Sequence, residues 1–144
     1  MPLSGDFVIA SDTVERVGSV LVTTSSATFT TTELTLITGT FPVTAGKSYK
    51  ISGYVFISST VVGDTVSVKV RQSTALGFQM QLNNVYIPTT GGAGWVASPQ
   101  VEYTASTTGT ESFFITAVRL AGTGTCQMQS GVNRPCALIV DAVQ

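Results

Sequence analysis

The sequence predicts an all-β protein, and three features of its composition and spacing predict it. Charged residues make up 10% of the 144 residues, against about 25% in an average globular domain. Threonine, serine and glycine stand in their place, and β-branched threonine suits a half-exposed pleated surface. Short runs of alternating apolar and polar residues are separated by Gly, Pro, Asn or Asp. We therefore expect one antiparallel β-sandwich or jelly-roll-like domain of about eight strands.

The first element is an N-terminal arm, residues 1–18, which precedes a sandwich domain over 19–144. Asp12-Thr13-Val14-Glu15 has the form of a helix-capping box, in which each side chain reaches the other residue's amide. A single helical turn is predicted there, and Gly18 would end it. The segment before it is predicted to be extended.

The strands follow, and no helical pattern separates them. We expect them near 19–24, 33–41, 47–58, 64–72, 76–86, 95–105, 111–120 and 136–143. Alternation also predicts which faces are buried: Tyr49, Ile51, Gly53, Val55 and Ile57 share one face, as do Val66, Val68 and Val70.

Two of these strands are apolar on both faces. The strand of 111–120 carries Phe113 and Ile115 on one face and Phe114 and Val118 on the other. The strand of 47–58 carries large aromatics on both. A strand buried on two faces in so small a sandwich predicts that one face contacts something outside the domain. Subunit association is the preferred explanation, and a covering loop is the alternative.

Charge and hydropathy exclude several classes of partner. The net charge is -1 and the lysines and arginines form no cluster, whereas nucleic acid requires several cations on one face. No apolar run approaches the ~20 residues that span a bilayer, and the N-terminus lacks the basic start of a secretory signal. The scarcity of charge predicts a protein packed against its own copies or a larger assembly; a merely neutral domain is the alternative.

The residues that could carry chemistry are few, and we expect no enzyme, no cofactor and no metal. The chain has no histidine, the commonest general base and transition-metal ligand. Its acidic residues show no recognisable pairing. Asp6, Asp12 and Glu15 could gather around Ca²⁺, but helix capping and solvation are the favoured explanation. The glycines of 91–94 lack the lysine and helix of a phosphate-binding loop, which predicts a hairpin loop.

Cys126 and Cys136 bracket a stretch with turn-forming Gly131 and Asn133. The spacing predicts that the two cysteines face each other across a hairpin, as a disulfide or as two free thiols. Trp95, the only tryptophan, is predicted to fill the core or an interface, with stacking on a sugar ring as the other interpretation.

Several segments of the sequence resemble segments of a known protein family. Residues 4–12, SGDFVIASD, the phrase FPVTAGKSYKI at 41–51, then VKVR at 68–71 and AVR at 117–119 resemble small β-sandwich virion proteins of tailed bacteriophages, especially those infecting actinobacteria. These are minor tail proteins, head fibres and capsid decoration proteins. The resemblance covers nearly the whole chain, and the stretch with the two cysteines departs from it.

The resemblance implies a non-enzymatic virion structural protein, made in the host cytoplasm and located on the capsid exterior or the tail. It implies a homo-oligomer, expected as a trimer, that binds the major capsid protein or other virion proteins and stabilises the capsid surface. The docking residues would be Gly5, Asp6, Phe7, Val8, Ile9 and Asp12. The alternative is a minor tail or head-fibre module that binds host-surface carbohydrate through Trp95, Tyr86, Tyr54 and Tyr103.

Overall fold

A computed structural model describes residues 14–90 and 94–143 of the chain. Eleven strands occur in these ranges, and no helix does. They are β1 (Glu15–Val22), β2 (Thr28–Phe29), β3 (Leu34–Val43), β4 (Ser48–Ser59), β5 (Thr65–Gln72), β6 (Gln79–Tyr86), β7 (Trp95–Ala97), β8 (Gln100–Thr104), β9 (Gly109–Ala121), β10 (Cys126–Met128) and β11 (Cys136–Val143).

The strands form two antiparallel sheets that pack as a sandwich. In the seven-stranded sheet, β1 pairs with β11, β11 and β10 both pair with β4, and β2 pairs with β10. Strands β7 and β8 also pair with β4. The four-stranded sheet has the order β3-β9-β5-β6. The all-β sandwich predicted from the sequence is confirmed.

The core lies between the sheets and follows the predicted alternation. Ile51, Val55 and Ile57 of β4 are fully buried, as are all three valines of β5. Phe113 of β9 packs edge-on against Tyr103, with ring centroids 5.5 Å apart. Burial of this apolar face drives the assembly of the sheets, at about 25 cal/mol for each Å² removed from water.

Part of the outer face of β9 is covered from within the chain. The Arg119 amide donates to the Thr30 carbonyl (2.9 Å), and the Thr116 hydroxyl donates to the Glu33 carboxylate. Thr116 is consequently only 1% exposed. Glu33 therefore covers Thr116, whereas Phe114 and Val118 on the same face are half-buried.

Several strands differ from those predicted. The strand expected over 95–105 divides into β7 and β8, because Pro99 has no N–H for the ladder and its carbonyl accepts instead from the Gly53 amide (2.8 Å). The strand expected from residue 76 begins at Gln79. The short strands β2 and β10 were not predicted, since segments of two or three residues carry no periodicity.

The structure describes only part of the predicted N-terminal arm, residues 1–18. Strand β1 begins at Glu15 and pairs with β11 through Gly18, with a β-bulge between Arg16 and Gly18. Gly18 therefore lies within a strand and does not end a helical turn, and the sandwich includes residues 15–18. The remainder of the predicted arm lies outside the described residues, apart from Val14.

Candidate functional surfaces

Four acidic side chains in the described ranges, those of Glu33, Asp64, Glu111 and Asp141, make hydrogen bonds or ion pairs within the fold. Asp141 pairs with Arg16, and Glu111 accepts hydrogen bonds from Ser73 (3.0 Å) and Tyr103 (3.3 Å). Within the same ranges no three His, Cys, Asp or Glu side chains lie close enough together to hold a metal ion. Of the three residues considered for Ca²⁺, Glu15 lies in β1 and the other two lie outside the described residues.

Asp64 is fully buried at the end of the sandwich. Its carboxylate accepts from the Ser59 hydroxyl (2.5 Å) and from the amides of Thr123 (3.0 Å) and Gly124 (3.1 Å). Burial raises the pKa of Asp64, but these hydrogen bonds and the nearby Arg119 guanidinium outweigh it, so that the pKa lies below its ordinary value. The hydrogen bonds to Asp64 hold the loop after β9 in place. Because the carboxylate is fully buried, a substrate cannot reach it.

A second ionic cluster lies on the outer face of the four-stranded sheet. Glu33 accepts from Arg71 Nε (2.6 Å) and Nη2 (2.8 Å) and from Lys69 Nζ (3.2 Å). The Arg71 hydrogen bonds are the largest influence on the Glu33 carboxyl, and with Thr116 and Lys69 they overcome its burial and lower its pKa to about 2. Every member of the cluster is paired, which is the arrangement of a structural site rather than a catalytic one.

The loop between β5 and β6 presents two large apolar side chains to solvent. This hairpin tip comprises residues 73–78. Leu76 is 77% exposed and Phe78 is 74% exposed. Leaving a leucine or phenylalanine in water forgoes roughly 1.5–3 kcal/mol of burial for each side chain. Such a pair on one tip is what a binding surface requires.

Hydrogen bonds connect the hairpin tip to strand β9 and to Arg71. The Ser73 amide donates to the Ser112 carbonyl of β9 (2.9 Å), and the Gly77 amide donates to the Thr74 carbonyl (2.9 Å). Arg71 Nη1, from the Glu33 cluster, donates to the Gly77 carbonyl (2.7 Å). These hydrogen bonds fix both ends of the tip, which lowers the backbone entropy lost on binding. This surface was not predicted from the sequence, although apolar residues on both sides of Gly77 in a turn indicate it.

The outer face of the seven-stranded sheet is organised in rows, because residues paired across antiparallel strands point to the same side. One row is charged and alternates in sign across β1, β11, β4 and β8: Arg16, Asp141, Lys50 and Glu102. The next row is polar apart from one isoleucine: Ser19, Ile139, Ser52 and Gln100. A third row, apolar over its three paired strands, holds Leu21, Ala137 and Tyr54.

The apolar row continues toward β7. Tyr54 and Phe56 pack edge to face, with ring centroids 5.1 Å apart, and Phe56 pairs with Val96. The Arg134 guanidinium lies 4.0 Å from the centre of the Phe56 ring, so Phe56 is covered, while Tyr54 is 42% and Val96 47% exposed.

The four aromatics considered for carbohydrate do not share a face. Tyr103 points inward beside Tyr49, donates to Glu111 (3.3 Å), and has its pKa raised by burial and by that carboxylate. Tyr54 lies on the outer face of one sheet. Tyr86, 60% exposed, lies on the other sheet, and Trp95, 41% exposed, pairs with the buried Ile57 at the edge strand β7.

The two cysteines are free and buried in the structure, which corresponds to the second of the two predicted states, two free thiols. Strands β10 and β11 run end to end along the same side of β4: Cys126 pairs with Ser59, while Ala137 pairs with Tyr54. Cys136 therefore sits opposite Val55, four residues from Ser59, or about 13 Å along the strand. A disulfide needs Cα atoms within about 7 Å. The intervening stretch leaves the line of the two strands and turns back through a bridge between Gly131 and Arg134. This turn brings Cys136 beside Gln129, with 3.4 Å from its Sγ to the Gln129 carbonyl oxygen, and not beside Cys126.

Comparisons with known proteins give structural similarity only. No family model matches the chain, and no curated protein matches it. Among solved structures, the VP2 subviral particle of infectious bursal disease virus is 12% identical over 92% of this chain and 38% of that chain, with a TM-score of 0.48. A structure of the Gx strain of that virus is 14% identical over 92% and 37%, with a TM-score of 0.42. The T13 particle of the same virus is 13% identical over 92% and 36%, with a TM-score of 0.41.

This chain thus spans about two fifths of the length of those proteins. Because these sequence identities and TM-scores are low, the fold class of this chain is assigned from its own strand pairing and not from these similarities. In the described ranges there is no helix of the length and apolarity that crossing a membrane requires.

Proposed function

We propose that this chain is a non-enzymatic structural protein of a bacteriophage virion, a capsid decoration protein that binds the capsid surface and stabilises it. The observation that carries the proposal is the hairpin tip with exposed Leu76 and Phe78. The described surface offers this apolar contact, and its buried carboxylates are all engaged in structure. The resemblance of residues 4–12 and 41–51 to small virion proteins supplies the class of assembly.

Two contacts with the particle follow from the proposal. The N-terminal docking residues, 5–9 and Asp12, would anchor the chain to a capsid protein, and the hairpin tip would insert its two apolar side chains into a neighbouring subunit. Each bound copy would stabilise the shell by linkage, because it binds the assembled state and not the dissociated one. Association of the free protein as a trimer belongs to the same proposal, and light scattering measures it directly.

The test is binding to purified particles that lack the protein, measured by co-sedimentation. We expect that deleting residues 1–12 leaves a folded sandwich that no longer binds. We expect Leu76→Ser with Phe78→Ser to weaken binding at least tenfold, as loss of an interface hot spot does. Val132→Ser is the matched control, because Val132 is 80% exposed on a different loop. Unchanged saturation by both the truncated and the doubly substituted protein would refute the proposal.

The second candidate function is a tail or head-fibre module that binds carbohydrate. It is favoured by Trp95 and Tyr86, which are exposed on β7 and β6, two strands that contact each other. Aromatic faces of this kind stack on sugar rings. A glycan array separates the two functions: a specific signal that Trp95→Ala abolishes supports the tail module, and a blank array leaves the capsid proposal standing.

A further inference from the structure

We propose that the outer face of the seven-stranded sheet binds the same face of a second copy of this chain, with a two-fold axis parallel to the strands and midway between β11 and β4. The proposal is independent of capsid binding and uses neither the N-terminal arm nor the hairpin tip. It follows from the order of charges along one row and of side-chain sizes along another.

The charged row reads plus, minus, plus, minus across β1, β11, β4 and β8, as Arg16, Asp141, Lys50 and Glu102. The two-fold axis lies between the two facing sheets and runs parallel to the strands. Rotation about it places the row of the second copy opposite that of the first, in reversed order. Arg16 then faces Glu102 of the other copy, and Asp141 faces Lys50, so that all four positions meet an opposite charge. A row of alternating sign with an even number of members is self-complementary in this one orientation, as an isologous interface requires.

The apolar row is complementary in size under the same axis. Ala137 of one copy faces Tyr54 of the other, so that a small side chain lies opposite a large one in both halves of the interface. Ala137 is 6% exposed, whereas Tyr54 is 42% exposed and stands above the sheet. Interdigitation of large and small residues is how facing sheets reach the packing density of a protein core. Between the two rows, Ile139 faces Ser52.

The extent of the face sets the strength of the contact. From Lys50 to Tyr54 it extends about 13 Å along β4, and four strands give about 15 Å across. This footprint, about 200 Å² on each copy, is well below the roughly 800 Å² on each partner of a standard specific interface. We therefore expect a weak dimer that depends on concentration and on salt, since part of its stability comes from partly exposed charges.

The test uses two single variants that reverse the central pair. Lys50→Asp alone brings two negative charges face to face, because the new carboxylate lies opposite Asp141 of the other copy. Asp141→Lys alone brings two positive charges together, because the new ammonium group lies opposite Lys50. Neither variant should therefore associate with itself through this face, whereas in a mixture of the two every facing pair is again of opposite sign.

Sedimentation equilibrium measures the outcome. We expect wild type to double its mass between micromolar and millimolar concentration, each variant to lose this step, and the equimolar mixture to regain it. If the protein is already a trimer, the same doubling and its loss are measured from the trimer mass.

Two further variants test the apolar row. Tyr54→Ser should weaken the association at least tenfold, while Leu82→Ser should not change it, because Leu82 is equally exposed at 42% but lies on the other sheet. Far-UV circular dichroism confirms that each variant is folded. The proposal is overturned if wild type shows no concentration-dependent doubling, if the single variants keep it, or if their mixture fails to restore it.

Discussion

Asp64 and Gly122 are so close that a Cβ atom on Gly122 would stand 1.7 Å from Asp64 Oδ1. Gly122 also has a φ of 99°, in a region that side chains rarely adopt. The loop after β9 can thus wrap the buried carboxylate only with glycine at this position. Asp64 and Gly122 are far apart in the sequence, and no local sequence pattern indicates that they are in contact.

Gly122→Ala is therefore expected to destabilise the fold strongly. The backbone conformation alone costs about 1–3 kcal/mol, and the displaced Asp64 carboxylate loses hydrogen bonds worth about 1.5–3 kcal/mol each. Gly46→Ala is the matched control, because Gly46 has a φ of 80° but nothing within 4 Å of its Cβ position. Urea unfolding of both variants measures the difference; equal losses would mean that the Asp64 contact contributes nothing.

Acid should weaken the fold through Glu33. Its pKa lies at about 2 against an ordinary value of 4.5, so its contribution is present above pH 4.5 and is lost as the pH falls toward 2. A shift of this size corresponds to at most about 3 kcal/mol, because solvent screens part of the interaction. We expect the unfolding free energy of wild type to fall over this range and that of Glu33→Gln to fall less. Parallel curves for the two proteins would contradict the assignment to Glu33.

The cysteines should behave as two thiols under all conditions. Non-reducing denaturation with an alkylating reagent is expected to modify both Cys126 and Cys136, with the same intact mass as after reduction. In the folded protein, alkylation of Cys126 should be slow, because the side chain is buried and burial, together with the neighbouring Asp64 carboxylate, raises its pKa. A mass two hydrogens lower and resistant to alkylation would show a bond and so contradict the strand register.

Substituting the hairpin tip should leave stability unchanged. Leu76→Ser and Phe78→Ser remove side chains that are 77% and 74% exposed, so little apolar area is lost from the core. Phe113→Ala, at 0% exposure, should by contrast cost about 3–5 kcal/mol. Thermal unfolding compares the three. A large loss at Phe78 would assign this side chain to the core rather than to a binding surface.

The sequence by itself determined the fold class and the inward faces of the strands. The alternation of Tyr49, Ile51, Val55 and Ile57 is a local property, because successive side chains of a strand point to opposite sides whatever the strand pairs with. Burial of these residues was predictable for that reason. The exposed apolar residues beside Gly77 were also visible in the sequence, although their anchoring through the Glu33 cluster was not.

Only the tertiary structure decided which residues lie together across the sheets. Strand register places Asp141 beside Lys50, and it separates Cys126 from Cys136. It depends on turns, bulges and packing far away in the chain. The stretch that bulges out between β10 and β11 leaves the cysteines about 13 Å apart, and the same register arranges the charges in rows. Surfaces built from cross-strand neighbours therefore follow from the fold and not from the order of the residues.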